Sequence, residues 1–175
     1  MITQKLIELD ACTPAQVWAE GKSWQEIYNT CHRGDWLLWL FARTNPDDLE
    51  MLTLAKGHCA NTVRHLMKDQ RSIKAVDTAI AFGEGKATRE ELDAAAAAAH
   101  AAHAAAHAAD SAYAAAAAYA AAADYAADAA DDADDDYAAY AADAAPYTAE
   151  NLKLTADICR KYLPIEVWNM QDDCE

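Results

Sequence analysis

Cys-x-x-Cys pairs are missing from this chain, and its five cysteines (Cys12, Cys31, Cys59, Cys159 and Cys174) are odd in number and widely spaced. A complete disulfide framework is thereby excluded, and the thiols are expected to be reduced and mostly to pack. The first ten residues carry Lys5, Glu8 and Asp10 and lack a long apolar run. Neither a secretory signal nor a membrane anchor is expected there, which points to the cytoplasm. Residues 94–145 lack glycine, proline, β-branched residues, lysine and arginine altogether, yet hold nine aspartates. That stretch offers no glycine-containing calcium loop and no loop to cradle phosphate, so no cofactor and no catalytic step are expected from it.

The lack of basic residues in that stretch carries most of a net charge of −15, set by 14 basic and 29 acidic residues. So acidic a surface repels nucleic acid and anionic membranes and attracts a basic protein. Direct nucleic-acid binding and membrane binding are therefore not expected.

What the chain does contain is helix signal. Its 175 residues fit a single domain. Within it, 1–93 form an aromatic and aliphatic helical part, 94–145 Ala/Asp-rich helices, and 146–175 a closing helix and tail. Much of the 54% hydrophobic content is alanine of the middle part, and each alanine buries only one methyl. The larger apolar groups lie on the two flanks, which are expected to build one core together.

Thr13-Pro14 reads as an N-cap followed by proline, and Ser23-x-x-Glu26 as a capping box. Asp35 is a candidate N-cap for a helix over Trp36–Arg43, and Asn45-Pro46-Asp47 marks a turn. Leu49, Leu52, Ala60, Val63 and Met67 recur with helical spacing, predicting a helix over Asp47–Met67, with another over Ser72–Phe82. Thr88-x-x-Glu91 is a second capping box at the mouth of the alanine tract.

Helix is close to forced over Ala94–Ala145, because alanine has the best helix propensity. One rod of that length would measure roughly 78 Å, at about 1.5 Å per residue, too long for a compact domain. Breaks are expected at Asp110-Ser111 and in the Asp131–Asp136 run. Tyr113, Tyr119 and Tyr125, six apart, would cover every side of a continuous helix, which also favours separate helices. Pro146 ends the tract and Thr148–Tyr162 closes the fold. The fold class expected is all-α, a compact multi-helix bundle whose alanine-rich helices pack closely.

His100, His103 and His107 share one helical stripe with Asp110. That stripe is a lesser metal candidate, since the surrounding alanines offer nothing to orient the imidazoles; no metal is expected. Asp124, Asp128, Asp131, Asp132 and Asp135 fall within about 100° of arc on a continuous helix. With no base one turn away they repel one another, so either solubility or a protein-binding face accounts for them. The stretch Cys31-His32-Arg33-Gly34-Asp35-Trp36 juxtaposes Cys and His, yet neighbours in sequence are rarely catalytic partners. Arg33, Gly34, Asp35 and Trp36 instead read as a structural corner, with Trp36 and Trp39 anchoring the core.

Four stretches together resemble the alanine-rich immunity proteins of bacterial polymorphic-toxin systems, a group that also occurs in phage and prophage genomes. They are Cys31–Leu40, Cys59–Leu66, Gly85–Leu92 and Ala156–Lys161. The resemblance implies a helical protein that neutralises a toxin by stoichiometric binding. The aspartates and histidines of this tract depart from the group's pattern, which points to an acidic face with its own target.

The expected function is therefore that of a non-catalytic, antitoxin-like inhibitor. It would occlude a partner protein with a basic surface, either a toxin or a host defence enzyme, through the aspartates above and the adjacent Tyr137 and Tyr140. The alternative is a phage-encoded counter-defence protein whose acidic surface mimics nucleic acid and blocks a host DNA- or RNA-binding enzyme. An ice-binding rod lacks the flat threonine-rich face it needs. The alanine faces also suit packing against a second copy.

Overall fold

A computed structural model describes residues 2–67, 69–108 and 148–168, with the side chains of 102–108 and 148–149 outside the description. Eight α-helices run through these residues: α1 (Ile2–Glu8), α2 (Thr13–Ala19), α3 (Trp24–Thr30), α4 (Gly34–Thr44), α5 (Leu49–Asn61), α6 (Gln70–Gly83), α7 (Arg89–Ala108) and α8 (Thr148–Tyr162). Short 3-10 turns follow α5 at Arg64–Leu66 and α8 at Ile165–Val167. The described residues contain no strand, and the protein is an all-α bundle.

Both capping boxes close as their spacing predicts. Ser23 Oγ accepts from the Glu26 N–H while the Glu26 carboxylate accepts from the Ser23 N–H at 2.8 Å. The Thr88 and Glu91 pair makes the same two bonds, at 2.8 and 3.2 Å, and opens α7. Each box satisfies two donors that a helix start otherwise leaves to water.

Other boundaries differ from expectation. α4 begins at Gly34 with Arg33 as its N-cap, so Asp35 sits inside the first turn, where its charge meets the positive end of the helix. α2 takes Cys12 as N-cap, which moves Thr13 and Pro14 into its first turn. The helix expected over Asp47–Met67 stops at Asn61. Thr62 turns both its N–H and its hydroxyl onto the Cys59 carbonyl, at 3.1 and 2.7 Å, tightening the chain into the 3-10 turn. α6 begins at Gln70, capped by Asp69, whose carboxylate accepts from the Arg71 N–H. The helix α1 carries none of these cap signals and is not predicted by the sequence patterns above.

The flanks do share a core. Leu6, Trp24, Ile27, Tyr28, Leu37, Leu40, Phe41 and Leu52 bury against Ala156, Cys159, Leu163 and Trp168 from the other end of the chain. α8 packs on α4 and α5. The Trp168 ring meets Tyr28 and Phe41 edge-on at 5.6 and 5.5 Å and donates its Nε1–H to the Leu163 carbonyl. Leu37, Phe41 and Leu163 are almost completely buried, and each such side chain contributes about 1.5–3 kcal/mol.

α5 leads through α6 to α7 in a second packed layer built on Ala60, Val63, Met67, Ala75, Val76, Ala95 and Ala99. Leu92, Ala95, Ala96 and Ala99 form the buried stripe of α7, at the i, i+3, i+4, i+7 spacing of one helix face. Small methyls there allow close helix approach. Among the described residues, no helix is long and apolar enough to cross a membrane.

Candidate functional site

The corner between α3 and α4 is assembled from backbone carbonyls and one guanidinium. Arg160 on α8 donates from Nε to the Tyr28 carbonyl at 2.8 Å, from Nη2 to the Cys31 carbonyl, and from Nη1 to Asp157 at 2.9 Å. Tyr28 answers by donating its hydroxyl to the Arg160 carbonyl at 2.9 Å. Burial, followed by the charge of Glu166, raises the Tyr28 phenol above its ordinary range, with Arg160 opposing. At the far end of α4, Asn45 is buried and donates to the Val167 carbonyl at 2.6 Å, fastening the segment after α8.

Gly34 lies where α4 meets α8, and a Cβ there would come within 2.6 Å of the Thr155 carbonyl carbon. Arg33 pairs with Asp35, Nε to Oδ1 at 2.8 Å, and lies over the Trp36 ring at 4.8 Å. The four corner residues singled out in the sequence are thus brought together at the start of α4.

Cys31 and His32 do not form a nucleophile and base. The Cys31 thiol is buried, donates to the Arg33 carbonyl at 3.4 Å, and is pushed up in pKa chiefly by desolvation, the reverse of what an attacking thiolate needs. His32 is exposed and meets Trp18 edge-on at 6.4 Å.

Trp36 and Trp39 correct an expectation, because both remain half-buried at the rim of the core instead of anchoring it. They belong to an aromatic and cationic band. Trp18 and Trp36 lie 5.9 Å apart, Lys22 sits 4.4 Å above Trp18, and Arg43 lies 5.9 Å from Trp39. Half-buried tryptophans beside cations are the residue types that dominate protein–protein hot spots. The three-residue tryptophan spacing signals a shared helix face; how deeply that face is buried is a tertiary fact.

Between α6 and α7 runs an open groove of about 620 Å³, floored by alanines and rimmed by Arg71, Lys74, Lys86, Asp77 and Glu91. Arg71 pairs with Asp69, Lys86 with Glu84 and Asp77 with Arg64, so the rim has little net charge to offer a ligand.

Of the metal candidates, His100 is half-buried on α7, while His103 and His107 lie on the same helix with side chains outside the description. The described residues contain no group of three or more His, Cys, Asp or Glu placed to hold a metal ion. Asp124, Asp128, Asp131, Asp132, Asp135, Tyr137 and Tyr140 all lie outside the described residues, as do the breaks expected at Asp110-Ser111 and Asp131–Asp136. No family model, curated protein or solved structure matches the chain.

Proposed function

We propose that this protein is a non-catalytic inhibitor that binds a basic protein partner through its aspartate-rich segment. The supporting observation is a contrast in charge pairing. Among the described residues, Asp35, Asp69, Asp77, Glu84, Asp93 and Asp157 each sit within ion-pair distance of an arginine or lysine. Residues 94–145 hold nine aspartates and no lysine or arginine, so no such pair can form within that stretch. Aspartates close in sequence to Tyr137 and Tyr140 suit contact with a basic, nuclease-like site, where tyrosine supplies rigid contact area and carboxylate supplies steering. The partner is a toxin or a host defence enzyme, and the inhibitor acts by covering it.

Replacing Asp128, Asp131, Asp132 and Asp135 by asparagine removes the charge and keeps the shape. With the partner captured from host lysate at low salt, the quadruple variant is expected to bind at least about tenfold more weakly, with the loss mostly in association rate. Full-strength binding by that variant would remove the aspartate face from the proposal.

The density of the Asp131–Asp136 run also favours a second reading, in which the carboxylates stand in for nucleic-acid phosphates. In that case duplex DNA competes for the captured enzyme and competition fades as salt rises; a cognate toxin held at high salt supports the first reading.

A further inference from the structure

Three thiols far apart in sequence converge where α4, α5 and α8 meet. Cys31 donates to the Arg33 carbonyl at 3.4 Å, Cys159 to the Gly34 carbonyl at 3.5 Å, and Cys59 to the Thr155 carbonyl at 3.7 Å. Thr155 is one helical turn before Cys159, and side chains in a helix lean back over the preceding turn. The Cys59 sulfur, reaching the Thr155 carbonyl from α5, therefore lies beside the turn over which the Cys159 side chain leans. Consistent with that approach, the Cys159 thiol is pushed well above its ordinary pKa, first by its hydrogen bond with Cys59 and then by burial.

The three differ in access. Cys31 and Cys159 are buried, whereas Cys59 is half-buried and is the one a small oxidant meets. We infer that Cys59 and Cys159 form an oxidation site for hydroperoxides, in which Cys59 is oxidised first and Cys159 completes a disulfide between α5 and α8.

The chemistry balances with one hydrogen peroxide. The Cys59 thiolate attacks a peroxide oxygen, the O–O bond breaks, and hydroxide leaves with the thiol proton as water, giving a sulfenic acid. The Cys159 sulfur then attacks the Cys59 sulfur and displaces hydroxide, which takes the Cys159 proton as a second water. Two thiols are oxidised to one disulfide and one peroxide is reduced to two waters. Burial keeps the oxidant from Cys159, so it reacts only with the sulfenic acid formed on Cys59 and serves as the resolving group.

The consequence is topological. A bond between residues 59 and 159 encloses the whole of 94–145, tying the helix layer that leads into the aspartate-rich segment to the helix that leads out of it. The inference stands on the thiol geometry alone and does not depend on the inhibitor reading.

The test uses the intact chain, reduced, desalted and exposed to dilute hydrogen peroxide, then blocked, unfolded and digested with trypsin without reductant. Cys31, Cys59 and Cys159 fall in separate tryptic peptides, Ser23–Arg33, Gly57–Arg64 and Leu154–Arg160. The expected product is a monomer lighter by two hydrogens, with Gly57–Arg64 joined to Leu154–Arg160 and two thiols lost to a counting reagent. Joining of Ser23–Arg33 to either peptide as the main product would overturn the assignment. So would oxidation confined to Cys12 or Cys174 with the three inner thiols intact. A Cys12→Ser/Cys174→Ser background removes the outer thiols. In it, Cys31→Ala is expected to keep the crosslink, and retention of the two-hydrogen loss by Cys59→Ala would also overturn the pairing.

Discussion

Arg160 joins α8 to the α3–α4 corner through two backbone carbonyls, and Tyr28 returns a bond to its carbonyl. Hydrogen bonds to a charged donor contribute about 1.5–3 kcal/mol, so Arg160→Met is expected to lower unfolding free energy by about that amount. Lysine cannot reproduce the fork, and R160K should recover little of it. Tyr28→Phe should cost about 1 kcal/mol, and urea titrations of the two single variants and the double variant should show coupling. Gly34→Ala collides with the Thr155 backbone, which cannot swing aside, so a loss of about 1–3 kcal/mol or more is expected by the same measurement. His58 offers a pH test. Its ring stacks on Tyr162, centroids 4.1 Å apart, and desolvation, followed by the charge of Lys161, lowers its pKa from 6.5. The unfolded chain therefore binds the proton more readily. His58 favours the folded state fully above about pH 6.5, and this contribution is lost as pH falls through its lower folded value. His58→Phe, which keeps the stack, should flatten the acid limb of stability below about pH 6.5; an unchanged slope would show that other groups set it.

At the scale of helices, the capping boxes make an expectation that is easily measured. Ser23→Ala and Thr88→Ala should each cost about 1 kcal/mol, while Ser23→Gly should cost only a few tenths, since glycine also tolerates the cap position. These boxes were legible because their two bonds are local and their spacing is fixed. α1 was not, since Ile2–Glu8 is short, has no acidic residue in its first turn, and depends on Leu6 reaching the distant core. α4 starts earlier than the sequence predicts because Gly34 reads as a breaker, whereas its value is the close approach of α8, a contact between residues 121 apart in sequence. The expectation that Trp36 and Trp39 anchor the core fails because apolar spacing identifies a helix face without identifying what lies over it. The thiol cluster is equally hidden in the sequence, for its members come from two helices and the α3–α4 corner. The Arg33–Asp35 corner was legible as a turn, but its contact with α8 was not. Of the aspartate face the sequence shows charge and spacing alone.

For the whole molecule, charge is the dominant imbalance. A net charge of −15 destabilises any compact state by self-repulsion, while exposed ion pairs return only about 0–1 kcal/mol each. Raising salt from about 10 mM to 150 mM, where the Debye length falls to about 8 Å, should therefore raise the urea midpoint; a lower midpoint would mean that the surface pairs outweigh the repulsion. The shared core has a different consequence, for the birth of the chain on the ribosome. Leu6, Trp24, Leu37 and Phe41 are made early, yet the groups that cover them, Ala156, Cys159, Leu163 and Trp168, are made after the entire alanine tract. During synthesis the first five helices therefore emerge with an uncovered apolar face, and their burial waits for α8 to clear the exit tunnel. A nascent chain stalled before Thr148 should be open to protease and bound by chaperones, and one extended past Trp168 and clear of the tunnel should be resistant.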